Sequence, residues 1–336
     1  MSTEFDAAYT WTADVLASLR HSLSRGKFDE ILPAILSDRY EPGARHSIAV
    51  LGDRTRPQVS KGPDGVVVRG AEFYYLPVSH CVEKQLSLEY LDRVYCVAPC
   101  VRLLMAGEDI SRRHLYSFFQ VEIEWKTTDA DDVYTAIETL LQDFSTDLLA
   151  RRRARGELPE EAERRIAQLG RVPYERLPFA AARQRVQHVG GASNPHAAGD
   201  LTHSEETALS NAADAPFWLT EYPEGVRDSL YLRTPNGLFA TYDLILPHGY
   251  GEVATGGLRP DSADAILAQA RTLGEEPHPH YADWKRRTAI QTGGLGFGLE
   301  RLVRYCAGAE SILDLRVAHD QGPNAKIVPR FAAAAE

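Results

Sequence analysis

Two periods organise the hydrophobic residues of this chain. Behind Thr12, a residue suited to capping a helix, Val15, Leu16, Leu19 and Leu23 fall on one helical face and Gly26 stops the run. Thr128–Arg153 keeps the same spacing for longer, through Val133, Ile137, Leu140, Leu141, Phe144 and Leu148. It closes on Arg151-Arg-Arg-Ala-Arg155, where cations suit a helix C-terminus. Pro159–Arg165 predicts a second, exposed helix, Asp261–Leu273 a short amphipathic one, and Leu299–Cys306 another. Elsewhere the period drops to two. Val94, Cys96 and Ala98 alternate with Tyr95 and Val97, and Val121–Glu124 alternates again. Phe217–Pro223, Ser229–Arg233, Phe239–Leu246 and Glu252–Arg259 read as further strands, with a tight hairpin at Asn236-Gly237.

The connecting stretches carry the turn formers. Phe28–Leu36 reads as extended and apolar around Pro33, and residues Tyr40–Gly70 as small strands and turns. Arg171–Asp214 is rich in Gly, Pro, Asn and His and reads as loops with room for a lid, so that 151–214 as a whole is expected to be a helical and loop insertion. Its His188, His196 and His203 lack metal-ligand spacing.

Composition narrows the class. The 336 residues are 44% hydrophobic and 25% charged, with no apolar run long enough to span a membrane. The N-terminus is acidic and has no apolar core segment, so it does not read as a signal peptide. A formal charge of -10 argues against broad binding of a phosphate backbone. Cys81, Cys96, Cys100 and Cys306 form no CxxC pair, and two of them lie in apolar strands. Buried reduced thiols and a cytoplasmic protein are the expectation.

The candidate chemistry begins at Arg93–Glu124. Two antiparallel strands there would place Arg102 on the first, Glu108, Arg113 and His114 in the loop, and Phe118 on the return. Cations for phosphates and a ring for a base suit a polyphosphate nucleotide. A surface hairpin with a solvated charged loop is the plain alternative. Downstream, Glu252 precedes Gly256-Gly257, where backbone can approach a ligand closely, and ends at Arg259. The glycine-rich strand Gly293–Gly298, with Gly296 and Gly298, can lie against a flat ligand. It enters a helix whose free N–H groups and Arg301 suit phosphate.

Taken in order, these segments resemble the class II aminoacyl-tRNA synthetases of the aspartyl/asparaginyl subgroup. Arg102, Arg113, His114, Leu115, Phe118, Glu122 and Glu124 match motif 2, and Gly296-Phe-Gly298 with Arg301 matches motif 3. The helix, strand and Pro33 at the start are similar to motif 1, which in the family builds a homodimer interface. Ser79-His-Cys-Val-Glu-Lys-Gln85 is similar to the amino-acid-pocket segment, with Ser79, Lys84 and Gln85 matching and Cys81 standing where the family has Gln. The Glu that usually follows the first motif 2 Arg is missing, which leaves open whether Glu108 takes its role. Ser117 and Thr292 are further departures.

The resemblance implies an α+β fold, an antiparallel sheet flanked by helices, in a single catalytic domain over 1–336. It implies ATP and Mg2+ as cofactors. Arg102 would contact the α-phosphate, His114 and Arg301 the outer phosphates, and Phe118 the adenine, with Glu108, Arg113, Gly296 and Gly298 also on the nucleotide. Asp243 and Glu252 would hold the metal, while Ser79, Lys84, Gln85, Gly256 and Arg259 would orient an amino acid. A Lys at position 84 favours aspartate by charge. With little chain before motif 1, no anticodon-binding domain is expected, and with the acidic charge tRNA is not expected as a partner. The shape is closest to stand-alone paralogues that make asparagine from ammonia. An amide-forming enzyme with another amine as acceptor, and an inactive nucleotide or amino-acid sensor, are the alternatives.

Overall fold

The computed structural model describes residues 3–37, 49–52, 59–62, 65–68, 72–102, 113–188, 199–275, 277 and 279–315. In chain order the helices are α1 (Thr3–Arg25), α2 (Cys81–Ser87), α3 (Ala130–Arg155), α4 (Glu160–Leu169), α5 (Phe179–His188), α6 (His203–Ala212), α7 (Ala263–Leu273), α8 (Pro279–Thr288) and α9 (Leu299–Ala307). The strands are β1 (Asp29–Glu30), β2 (Ala49–Gly52), β3 (Val59–Gly62), β4 (Gly65–Val68), β5 (Glu72–Tyr75), β6 (Arg93–Val101), β7 (Ser117–Lys126), β8 (Glu175–Pro178), β9 (Phe217–Tyr222), β10 (Phe239–Leu246), β11 (Gly251–Leu258) and β12 (Thr292–Gly298). Eight of them form one sheet in the order β1-β6-β7-β12-β11-β10-β9-β8. Its six central strands are antiparallel, and both edge strands run parallel to their neighbours.

Strand alternation divides the sheet into an apolar face and a polar one. On β7, Val121, Ile123 and Trp125 join the main core with Val15, Leu19 and Leu23 of α1, Ile137, Leu141 and Phe144 of α3, and Leu302 and Val303 of α9. Their neighbours Gln120, Glu122 and Glu124 are just as buried but on the opposite face. There α2 and α8 close over the sheet through a small cluster of Leu230, Ile266, Tyr281 and Trp284. Long helix α3 begins as its sequence predicts, with Asp129 capping the N–H of Asp131, and ends at a left-handed Gly156.

Five expectations change. Thr12 does not cap α1 but lies inside it, its hydroxyl donating to the Ala8 carbonyl at 2.9 Å, and α4 is not an exposed helix, since Ala162, Ile166 and Leu169 join the main core. The apolar stretch from Phe28 contributes only a two-residue strand plus one bond from Ile31 N–H to Tyr95 O (2.8 Å), because Pro33 has no donor to continue the ladder. Ser229–Arg233 is bent rather than extended. Leu230 turns into the α2–α8 cluster instead, while Leu232 still bonds the carbonyl of Leu258 at 2.8 Å. The 171–214 segment is more than loops. It supplies edge strand β8 and two helices, whose Leu177, Phe179, Ala182, Val186 and Leu209 pack on Phe217, Leu219, Tyr222 and Ile245. Helix α6 starts on a capping box of Thr202 and Glu205, a signal present in the sequence.

Helix α2 is tied to β7 by charge. Lys84 Nζ lies 2.8 Å from Glu122 and 3.7 Å from Glu124, all three side chains being out of solvent. Glu122 also accepts from the backbone N–H of His80 (2.8 Å) and from Ser79 Oγ (3.0 Å). Burial raises the Glu122 pKa, but Lys84 and these donors outweigh it and hold the carboxyl at about 2. That is below the ordinary Glu value near ~4.3, so its contribution is fully present above ~4.3 and is lost as pH falls toward 2. Thermal denaturation of wild type between pH 5 and pH 2 is expected to lose on the order of 3 kcal/mol through this group. Glu122→Gln should flatten that part of the profile. Lys84→Met, which strands a buried carboxylate, should cost about 3–5 kcal/mol at neutral pH.

Candidate active site

The strand directions gather the candidate residues at one end of the polar face. Strand β6 finishes there and leads to Arg102, β7 starts there just before Phe118, β12 ends there at Gly298, and β11 begins there at Gly251. Arg102 donates through Nε and Nη2 to the carbonyl of Val78 at 2.9 and 2.8 Å, and its guanidinium lies 5.2 Å from the Phe118 ring centre. On α9, Arg301 Nη1 meets Glu252 Oε1 at 2.8 Å and the Glu252 carbonyl at 3.1 Å. Its Nε donates to the carbonyl of Arg113 at 3.3 Å. Arg113 in turn pairs with Glu206 at 2.5 Å and lies 2.8 Å from His203 Nδ1.

These four charged side chains form one network, since Glu206 also accepts the N–H of Glu252 at 2.7 Å. Burial and the neighbouring Asp243 and Glu206 raise the Glu252 carboxyl above its ordinary range, against the pull of Arg301. Glu206 shifts the other way, because Arg113 outweighs its burial. Burial, Arg301 and Arg113 push His114 down to about 3, so at neutral pH it is an uncharged ring, not a third cation. Gly251 makes the network possible. At φ +73 its missing Cβ would stand 1.7 Å from Arg113 Nη1 and 2.6 Å from Glu206 Oε1.

A second charged cluster lies deeper, over the middle of the sheet. Arg259 Nε donates to Glu124 Oε1 at 3.1 Å, and Thr292 Oγ1 donates to the same oxygen at 2.8 Å. Gly294 lets this happen, because a Cβ there would sit 2.4 Å from a Glu124 oxygen. Arg259 stacks 4.4 Å from the Tyr231 ring, and its buried Nη1 has no hydrogen-bond partner among the described residues. Gln85 is held at both ends of its amide, donating to the Cys81 carbonyl at 3.1 Å and accepting from Tyr281 Oη at 2.8 Å. Buried Lys285 on α8 donates to the carbonyl of Ile290 at 2.8 Å, and burial pushes it down to about 8.

The structure thus brings Arg301, Glu252, Arg113 and His114 together, with Arg102 and Phe118 at the same sheet end. Ser79, Lys84, Gln85 and Arg259 line the deeper cluster. Lys84 does not stand ready for a substrate carboxylate as its charge alone suggests, since Glu122 and Glu124 already neutralise it. Asp243 is engaged too: it accepts from Tyr222, from Thr255 and, at 2.7 Å, from Arg227. No group of three or more His, Cys, Asp or Glu able to hold a metal forms among the described residues. Gly256 serves the sheet, because its Cβ would meet the Gly294 carbonyl at 2.1 Å. Gly296 differs: its Cβ would make only ordinary contacts, from 3.4 Å, so this glycine keeps the floor flat without being forced by packing. Gly298 lies against the Arg301 side chain. Glu108 lies outside the described residues. Sequence reasoning assigned no role to Glu206, His203 and Arg227, whose partners are 93, 90 and 16 residues away in the chain. The Thr202–Glu205 capping box was the one local sign that a helix sat there.

No helix among the described residues is long and apolar enough to cross a membrane. The comparisons agree with the geometry. The family model described as tRNA synthetases class II (D, K and N) matches residues 2–317. Asparagine–tRNA ligase of Koribacter versatilis is 30% identical over 232 residues, covering 66% of this chain and 51% of that protein. The Thermococcus kodakarensis enzyme of the same name is 26% identical over 239 residues, or 69% and 54%. The chain therefore spans about half the length of the curated relatives it matches. Asparaginyl-tRNA synthetase from Pyrococcus horikoshii, complexed with asparaginyl-adenylate, superposes with a TM-score of 0.78 over 93% of this chain and 68% of that one, at 22% identity. The Entamoeba histolytica enzyme with asparaginyl-adenylate gives 0.76 over 93% and 66%, at 17% identity. These relatives overturn the expectation that tRNA is not a partner, since they are themselves tRNA ligases. Net charge misled because it averages over all 336 residues, whereas a nucleic acid responds to the local field. With the family model matching nearly the whole chain, this protein belongs to the class II tRNA synthetases of the D, K and N group.

Proposed function

We propose that this chain is the catalytic core of an adenylate-forming aminoacyl ligase that activates asparagine in preference to aspartate and passes it to tRNA. The observation that carries the choice of amino acid is the pairing of Lys84 with Glu122 and Glu124. With Arg259 also on Glu124, the two cations and two carboxylates cancel, and a neutral carboxamide fits such a pocket better than a second carboxylate. The orphaned Nη1 of Arg259 is a donor for an acceptor oxygen of that side chain.

In the activation step the α-carboxylate of the amino acid attacks the α-phosphorus of ATP, and the bond to the β-phosphate breaks to release pyrophosphate. Arg102 and Phe118, in contact at one sheet end, would hold the near phosphate and the adenine, and Arg113 and Arg301, paired with Glu206 and Glu252, would take the outer phosphates. His114, uncharged, contributes a hydrogen bond instead of a charge. Mg2+ bound with ATP would be held by Glu252, with Glu206 beside it, together with phosphate oxygens, since magnesium sites on nucleotides need only one or two carboxylates. Its charge offsets that building up on the phosphates. Two copies would pair through the edge beside β1, where Leu32 is 91% and Ile35 66% exposed.

Amino-acid-dependent exchange of pyrophosphate into ATP tests the reading, with asparagine expected at least about tenfold above aspartate. Charging of tRNA with asparagine should follow. Exchange driven by aspartate, with asparagine appearing when ammonia is added, would replace it by the ammonia-dependent reading. Arg301→Ala is expected to lower exchange about a hundredfold or more with the fold intact. Gly251→Ala adds about 1–2 kcal/mol of backbone strain and evicts Arg113 from its pair, so the KM for ATP should rise about tenfold while that for the amino acid holds. For the dimer, sedimentation of Leu32→Asp with Ile35→Asp should give a monomer where wild type gives a dimer.

A further inference from the structure

Ser229–Arg233 bends where its sequence predicts a strand, and the bend is fixed from several sides. Asp228 accepts the N–H of Leu230 at 2.9 Å, and Glu275 accepts that of Ser229 at 2.9 Å. Gln269 of α7 donates to the carbonyls of Asp228 and Tyr231 at 3.1 and 3.2 Å, so one side chain holds both ends of the turn. Leu230 is buried against Ile266, Tyr281 and Trp284, and the N–H of Leu232 bonds the Leu258 carbonyl at 2.8 Å. Between these two anchors the ring of Tyr231 comes down on β11. A Cβ at Gly257 would stand 2.6 Å from Tyr231 Cδ1, so the strand has no side chain where the ring lies. Gly257 pairs across the sheet with Gly294, whose own Cβ would point at Glu124, so ring and carboxylate share the polar face.

There the ring meets Arg259, whose Cζ lies over it at 4.4 Å from the centre. Glu124 takes Nε of Arg259 at 3.1 Å and Nη2 only at 3.5 Å, both on one edge of the guanidinium. Nη1, on the other side, is buried without a hydrogen-bond partner among the described residues. A plane held along one edge can still turn about that edge. An aromatic ring against its face removes that freedom and attracts the cation as well. Burial pushes the Tyr231 hydroxyl up to about 12, so the ring is neutral and leaves the charge balance of the pocket as it is.

We propose that Tyr231 is a positioning residue of the amino-acid site, its ring fixing the plane of the Arg259 guanidinium so that Nη1 is presented to the side chain of the amino acid. Its effect on the substrate rests on the function proposed above. The clamp on Arg259 does not, since it belongs to the protein without ligands. Selectivity follows from the clamp. A donor fixed in one plane rewards an acceptor in one place, whereas a guanidinium free to swing can follow a carboxamide or a carboxylate alike.

Two measurements keep the clamp and the function apart. In substrate-free protein carrying nitrogen-15 arginine, hydrogen exchange of the Arg259 Nε–H with water reads the clamp whatever the protein activates. Tyr231→Phe keeps the ring and should stay within about twofold of wild type, while Tyr231→Leu, which keeps bulk without a ring, should exchange about tenfold faster. Equal rates in wild type and Tyr231→Leu would overturn the proposal. In pyrophosphate exchange, Tyr231→Leu should raise the KM about tenfold for the amino acid that wild type activates, narrow its preference between asparagine and aspartate, and leave the KM for ATP unchanged. Tyr231→Phe should behave as wild type. A rise in both KM values would mark a general structural loss and reject a positioning role. A Tyr231→Phe as impaired as Tyr231→Leu would assign the effect to the hydroxyl and reject the stack. If wild type activates aspartate, the function reading fails, yet the same shift in the KM for aspartate sustains the clamp. If neither amino acid drives the reaction, the function reading fails and the Nε–H rate alone decides.

Discussion

Two glutamates on one face of β7 set the terms for the rest of the structure. Glu122 and Glu124 are almost completely buried, and they sit on the same strand face two residues apart. Neither carboxylate survives there unpaired, since an isolated buried charge costs several kcal/mol. Lys84 must therefore come down from α2 and Arg259 across from the end of β11, and both do. Those demands place α2 over the sheet, require a glycine at 294, and give Thr292 a bond to make. The pocket is thus a by-product of satisfying two acids, and its charge is balanced before any substrate arrives.

The proposed phosphate end repeats the principle with looser fittings. Arg113 and Arg301 are paired with Glu206 and Glu252, but at the edge of the sheet, where Arg301 and Glu252 both keep part of their surface in solvent. A nucleotide bound with a divalent cation matches this arrangement from both sides. Its phosphates can take the two arginines, and its metal can take the two glutamates they leave. Free phosphate offers only the first exchange and strands the carboxylates, one of which is already raised by its acidic neighbours. The pairing itself supports the proposed binding of a metal-bound polyphosphate over a bare anion.

What could be read from the sequence was what strands and helices announce locally. The period-two runs on β6, β7, β10 and β11, the glycines of β12 and the long apolar stripe of α3 all stand where their spacing puts them. That Arg102, Glu252 and Arg301 share a site is an expectation of the family resemblance, and the antiparallel strands β6, β7, β12 and β11 do return the segments that carry them to one sheet end. The fate of individual charges was not legible. Lys84 reads as a free cation until its partners 38 and 40 residues later fold over it, and Asp243 reads as a metal ligand until Tyr222, Thr255 and Arg227 claim its oxygens. Segment 171–214 looked like loops because β8 is four residues long and ends in Pro178, too short for a period to register.

The error about tRNA has the same origin. An excess of acids over bases describes no one patch of surface, and many of these acids face a cation of this chain at contact distance. Glu122, Glu124, Glu206 and Glu252 are all spent in this way around the site, and Asp14 lies between Arg152 and Arg155 far from it. A paired carboxylate projects little field beyond the Debye length of about 8 Å. A formal charge of -10 already cancels such pairs, and it says nothing of where on the surface the remaining charges sit. What a long anion would meet is set by the side chains left facing outward on one patch, not by the sum over the chain. Net charge therefore bounds solubility and steering at long range, and it carries no veto over a partner that docks on one patch.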